Sequence, residues 1–142
     1  MIRQATLNDV ELVTQMTVKF LSTTKHKDIT DEDKTRQTIK VILSSPHMAI
    51  FLYGEVGMIA GVISEFPFGN HLVASELGWW VEPEYRKSEI GKELLDTFED
   101  WATVNKCEKI FMVTLDDSVG KYYEKRGYEI HERTYVKDIR NS

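Results

Sequence analysis

Apolar positions recur along this chain with two different periods, and the switches between them mark its elements. Residues 1–5 predict a short opening strand. Thr6-Leu7-Asn8-Asp9 then reads as a helix start, with Thr6 as N-cap and Asp9 three residues on. Val10, Val13, Met16 and Phe20 follow at helical spacing, so this helix buries one face. Residues 22–30 are polar, cluster Lys25, His26 and Lys27, and predict a loop. Thr30 heads a second helix, with Asp31, Glu32 and Asp33 where the N-terminal dipole favours acids. That helix runs through Ile39 and Ile42 and stops at Ser44-Ser45-Pro46. Strands are predicted over 47–53, 58–66 and 75–81, separated by the turns Gly54-Glu55-Val56-Gly57 and Pro67-Phe68-Gly69-Asn70. After Glu82-Pro83-Glu84-Tyr85 and a polar turn, a helix over 91–105 buries Leu94, Leu95, Phe98, Trp101 and Ala102. The unbroken apolar run at 110–113 predicts a strand covered on both faces. A short helix over 119–126 ends at Gly127 as its C-cap, and 128–137 is read as the closing strand. The order β-α-α-β-β-β-α-β-α-β predicts an α/β fold, a mixed sheet with helices packed on it. One domain spanning residues 1–142 is expected.

Composition narrows the class without changing this picture. The 142 residues are 42% hydrophobic and 29% charged, enough to bury a core without disulfides or a structural metal. The single cysteine, Cys107, excludes an internal disulfide, fits a reducing compartment and reads as a small apolar residue. No run of about 18 apolar residues is present, and Met1-Ile2-Arg3-Gln4 opens no signal-peptide stretch. A cytoplasmic protein without membrane contact is therefore expected. With 18 basic and 23 acidic residues, the net charge of −5 lacks the positive field that nucleic-acid binding needs. His26, His47, His71 and His131 show no metal-ligand spacing, and the adjacent Asp116 and Asp117 read as a helix cap, so no metal is expected. His26 and His71 lie in loops.

The chemistry concentrates in residues 76–95, where a strand ends, a polar turn follows and a helix begins. Unpaired backbone N–H groups at a helix start can hold phosphate, and Arg86, Lys87 and Lys92 add positive charge around the turn. On these grounds the segment is a candidate anion site, with a merely solvated helix start as the alternative.

In Val81-x-Pro83-x-Tyr85-Arg86-x-x-x-x-Gly91 the chain resembles motif A of the GNAT superfamily of N-acetyltransferases. The run Asp116-x-x-Val119-x-x-Tyr122-Tyr123-Glu124-Lys125-Arg126-Gly127-Tyr128 is similar to that family's motif B, and Ile2-Arg3-Gln4-Ala5-Thr6-x-x-Asp9 is a typical opening. The resemblance covers nearly the whole chain. It implies an N-acetyltransferase that moves an acetyl group from acetyl-CoA to a primary amine by direct attack in a ternary complex. The acceptor is a small-molecule or protein amine, and the chain is a monomer or homodimer. The alternative is a non-catalytic acyl-CoA-binding or regulatory module of the same fold.

The resemblance also implies roles. Acetyl-CoA lies between the strand ending at Val81 and the strand at 110–113, with its pyrophosphate at Arg86, Lys87, Ser88, Glu89, Ile90, Gly91 and Lys92. Trp80, Val81, Asp116 and Tyr123 complete the cofactor set, with the Val81 N–H as donor to the thioester carbonyl. Tyr123 protonates the departing thiolate. Glu76 is the candidate general base, with Glu65 in reserve; burial near Trp79 or Trp80 raises its pKa toward a useful value. Trp79 and Trp80 point to opposite faces of their strand, one to the core and the other to the acceptor cleft. Two positions depart from the family pattern. Glu89 stands where the turn's first glycine is usual, placing a carboxylate beside the pyrophosphate and costing about 1–2 kcal/mol if the position needs positive φ. Asp116 replaces the usual asparagine and loses an amide donor near the pantetheine arm.

Overall fold

The computed structural model describes residues 1–140. Strand β1 (Ile2–Gln4) enters helix α1 (Val10–Leu21) through a helical turn at Leu7–Asp9. Thr6 and Asp9 form the expected capping box there, the Asp9 carboxylate accepting from the Thr6 amide at 2.8 Å. Arg3 grips the same carboxylate with both guanidinium nitrogens and, with the Thr6 amide, holds its pKa down to about 2. The following loop contains a short helical turn at Lys27–Ile29. Helix α2 (Glu32–Ser44) is capped by Asp31 rather than Thr30, because the Asp31 carboxylate reaches the Lys34 amide at 2.8 Å.

Three antiparallel strands follow: β2 (Met48–Tyr53), β3 (Gly57–Glu65) and β4 (Leu72–Val81). Helix α3 (Ile90–Val104), strand β5 (Cys107–Phe111) and helix α4 (Asp117–Lys125) complete the elements. The sheet runs β1-β2-β3-β4-β5, antiparallel through β4 and parallel between β4 and β5.

The pleat sorts the strand residues onto two faces. Ile50, Leu52, Met58 and Trp80 pack with Val13 and Met16 of α1 and Ile39 of α2. Ala49, Phe51, Ile59 and Val81 pack with Leu94, Leu95 and Phe98 of α3 and with Tyr123 of α4. Gly61 is a fixed point of this second layer. A Cβ there would stand 2.1 Å from Cε1 of Phe98, so only glycine lets the helix seat its fully buried ring on β3.

Two sequence expectations fail at the end of the chain. The strand expected at 110–113 is Cys107–Phe111, and it is an edge strand whose residues are half-buried or exposed. Lys106, in the left-handed region at φ 64°, turns the chain into it early. The closing strand expected at 128–137 does not form. Gly127, at φ +94°, turns the chain out of α4, and Tyr128 packs its ring 5.5 Å from that of Tyr123. Ile130, Tyr135 and Val136 then face solvent, so no face of the segment is buried to fix a ladder register. It passes β5 through His131, 5.6 Å from the Phe111 ring, and ends with Arg140 paired to Asp28 of the α1–α2 loop.

Candidate active site

Strand β5 is shorter than β4, and the site follows from that mismatch. Leu72, Val73, Ala74 and Ser75 pair with β5, whereas residues 76–81 run on without a partner on that side. β4 is also bulged. Ala60 pairs with Gly78 and Gly61 with Glu76, leaving Leu77 as the extra residue. Bulges of this kind bend a strand and re-aim its side chains. The sheet therefore opens into a gap that starts at Glu76. The Glu82 amide donates to the Val56 carbonyl at 2.8 Å on the β3 side. Antiparallel alternation then turns the amides of Val81 and Trp79 away from β3, toward the gap.

Glu76 stands at the apex. Its carboxylate accepts one hydrogen bond, from the Val113 amide at 3.4 Å. Burial pushes its pKa up to about 7, which that single bond only partly opposes. Tyr123, from the middle of α4, comes within electrostatic reach: its pKa is raised by burial first and by the Glu76 carboxylate second. The Tyr123 ring is buried and stacks on Trp79 at 5.9 Å, and its hydroxyl has no hydrogen-bond partner among the described residues. A carboxyl that titrates near neutrality beside a phenol that stays protonated is an arrangement suited to base and acid work.

The turn before α3 lies at the other end of the gap. The first amides of α3 have no intrahelical acceptor; the Ile90 amide bonds the Ser88 hydroxyl at 3.3 Å. Gly91 lies against Trp79, where an added Cβ would make ordinary contact with Cζ2 of that ring at 3.4 Å. The turn is less positive than the sequence suggests. Arg86 folds back so that its Nε donates to the Val81 carbonyl at 2.8 Å and its guanidinium lies 4.5 Å over the Trp80 ring. Lys92 pairs with Asp96 at 3.0 Å, one turn down the helix. Lys87 is exposed and has no ion pair among the described residues. Glu89 is the N-cap residue at φ −78°, so this position needs no glycine and carries no backbone strain.

Several expected residues sit elsewhere. The Trp80 side chain lies on the α1–α2 face, its Nε1 donating to Glu82 at 3.3 Å, and faces away from Tyr123. Trp79 is the tryptophan that shares the gap with Tyr123 and Gly91. Its buried Nε1 has no hydrogen-bond partner among the described residues; the sequence signals its facing only through the alternation of two adjacent tryptophans. Asp116 is turned toward α4, where it accepts from the amide and hydroxyl of Ser118 at 2.8 Å each. This capping lowers its pKa. Glu65 pairs with Leu72 at the closed end of β4, away from the gap, and His71 lies beside Glu108 at 3.5 Å. His26 does border a cavity under α1 and α2. Among the described residues no group of three or more His, Cys, Asp or Glu side chains could hold a metal ion. No helix among them is long and apolar enough to cross a membrane.

Comparison with known proteins adds a family. The family model described as "Acetyltransferase (GNAT) family" matches residues 14–128. A search of curated proteins finds no match. Among solved structures, the fold is similar to that of a transcriptional regulator from Bacillus halodurans C-125, at 18% identity over 98% of this chain and 99% of that one, with TM-score 0.80. It is also similar to AAC(6')-Iy in complex with a bisubstrate analog, CoA-S-monomethyl-acetylneamine, at 20% identity over 99% and 97%, with TM-score 0.76. A third is an aminoglycoside acetyltransferase from an uncultured soil metagenomic sample, at 17% identity over 99% and 96%, with TM-score 0.74.

Proposed function

The chain belongs to the GNAT acetyltransferase family, and we propose on that premise that it moves an acetyl group from acetyl-CoA to a primary amine by direct attack within a ternary complex. The observation that carries this reading is the β4–β5 gap with Glu76 at its apex and the unpartnered Tyr123 hydroxyl on α4.

The gap fits the donor. Amides of Trp79 and Val81 face it, the first turn of α3 offers backbone donors at one end, and Gly91 and Trp79 form an apolar floor between them. Acetyl-CoA, when bound, supplies the thioester carbonyl and a thiolate leaving group. Glu76 takes the proton that the incoming ammonium must lose, which its pKa of about 7 permits at neutral pH. The Val81 amide donates to the oxygen that gains charge in the transition state. Tyr123 donates its hydroxyl hydrogen to the leaving sulfur, and the elevated pKa keeps that hydrogen in place across the working range. The reaction needs no covalent enzyme intermediate. Cys107 sits on β5 with its thiol pushed up by burial, which suits a packed residue and not a nucleophile.

Glu89 at the phosphate turn and the Lys92–Asp96 pair favour a second reading, a non-catalytic acyl-CoA-binding module. Calorimetric titration with acetyl-CoA, followed by thiol release across a panel of amines, separates the two. Saturable binding with amine-dependent release is expected. Binding without release on any amine supports the module, and no binding at millimolar acetyl-CoA refutes both.

A further inference from the structure

Tyr123 is the one buried residue of α4, so a single ring anchors that helix in the core. A helix held at one point can tilt about it, and a displacement of about 1 Å at a reacting group costs on the order of 100-fold in rate. The surroundings of Arg126, the C-cap residue of α4, supply a second hold.

Arg126 reaches across to α3, and its side chain is 18% exposed. Its Nη2 donates to the Asp96 carboxylate at 2.6 Å and also to the Glu99 carboxylate. Its Nη1 donates to the Tyr122 hydroxyl at 3.3 Å, and the guanidinium lies 5.7 Å from the centroid of that ring. Exposed ion pairs contribute little because solvent screens them. This one is largely sheltered, and a planar fork that meets two carboxylates and a hydroxyl fixes direction as well as distance.

The two carboxylates differ in what else they hold. Asp96 is shared with Lys92 at 3.0 Å, and Arg126, more than Lys92, keeps its pKa below the usual range. Glu99 instead accepts from the Tyr128 hydroxyl at 2.7 Å. The Tyr128 ring stands 5.5 Å from the Tyr123 ring. The amides of Arg126 and Tyr128 both donate to the Tyr123 carbonyl, at 2.9 and 3.0 Å. Glu99 therefore ties to α3 two residues that each bear on Tyr123, one through the end of the helix and the other also through its ring.

Resting on the transferase reading above, we infer that Arg126 is a positioning residue: clamped by Asp96 and Glu99, it holds α4 where the Tyr123 hydroxyl meets the leaving sulfur. It acts through Tyr123 and not on the reacting atoms.

The test uses the full chain and compares Arg126→Met, Arg126→Lys, Tyr123→Phe and the double variant of Arg126→Met with Tyr123→Phe. Thiol release from acetyl-CoA is followed across the amine panel, and acetyl-CoA affinity by calorimetry. Arg126→Met removes every donor, and the partly exposed Asp96 and Glu99 carboxylates can take up water in its place. Turnover should fall about tenfold to 100-fold, with acetyl-CoA affinity within about threefold of the parent. Arg126→Lys, which still reaches one carboxylate, should recover part of the loss. In the Tyr123→Phe background the same Arg126→Met change should alter turnover less than about twofold, because the hydroxyl it positions is gone. A general loosening of the fold would lower turnover in both backgrounds alike. The indole N–H resonance of Trp79, identified by its loss in Trp79→Phe, should shift in Arg126→Met, since the Tyr123 ring stacks on that indole. Should Arg126→Met fail to fold, Arg126→Lys takes its place in each comparison. Equal losses in the two backgrounds, unchanged turnover in the Arg126 variants or an unmoved Trp79 resonance overturns the inference and leaves the transferase intact. No thiol release from the parent with any amine refutes the transferase reading, and this inference with it.

Discussion

Glu76 and Tyr123 lie 47 positions apart in the numbering, on different elements, yet the Glu76 carboxylate raises the pKa of Tyr123 across the gap. Burial is the leading cause for both shifts, so the pair depends on the gap staying narrow. Replacing Tyr123 by phenylalanine keeps the stacking on Trp79 and removes only the hydroxyl. Turnover and the specificity constant should fall together, by about 100-fold to 10,000-fold, with acetyl-CoA affinity unchanged. Unchanged turnover with an acceptor whose chemical step limits the rate would leave Tyr123 as a packing aromatic. For Glu76, the specificity constant should rise with pH through a limb near 7, as the carboxyl ionises. In Glu76→Gln that limb should disappear along with most of the activity. A limb that survives the substitution would place the base elsewhere.

Elements were legible where local chemistry set them and illegible where pairing did. The capping box at Thr6 and Asp9, the stripe of α3 and the turn before it could be read because each depends on a few neighbouring residues. The Leu77 bulge, the short β5 and the unpaired 128–137 segment depend on what lies alongside, and 128–137 reads as a strand although Ile130, Tyr135 and Val136 are exposed. Likewise Glu76 and Tyr123 are singled out by resemblance, whereas which of Trp79 and Trp80 faces the gap needs the sheet. Two predictions belong at this scale. At Glu89 the backbone is ordinary, so charge alone opposes an anionic ligand. Glu89→Gln and Glu89→Gly should both tighten acetyl-CoA binding about twofold to fivefold, as removal of one solvated like charge implies. A gain confined to glycine in parallel titrations would point to backbone strain instead. Where α3 meets β3, Gly61→Ala should destabilise by about 1–3 kcal/mol through overpacking on Phe98. Adding Phe98→Leu to that variant should cost less than Phe98→Leu costs alone. Additive denaturation energies would mean that the two positions are not coupled.

At the scale of the whole molecule, the site weakens the fold that carries it. Glu76 has a folded pKa of about 7 against 4.5 for an unperturbed glutamate. Between those values the folded chain binds more protons than the unfolded one, so stability falls as pH rises through this window. Below about 4.5 the carboxyl is protonated in both states and costs nothing; above about 7 it is ionised in both and the full penalty applies. One pKa unit corresponds to about 1.4 kcal/mol, which bounds the penalty at about 3 kcal/mol. Water entering through the open gap brings the expected effect to about 1–2 kcal/mol. Glu76→Gln keeps an acceptor for the Val113 amide and removes the ionisation. It should therefore be more stable than the parent by about 1–2 kcal/mol at pH 8 and equal to it at pH 4.5, in denaturant titrations at each pH. The gain in stability should accompany the loss of activity, as expected for a group held against its solvation preference for the sake of chemistry. Equal stability of the two proteins at pH 8 would mean that water already reaches the carboxylate freely. The acidic limb of the rate profile should then lie near the ordinary glutamate range instead of near 7.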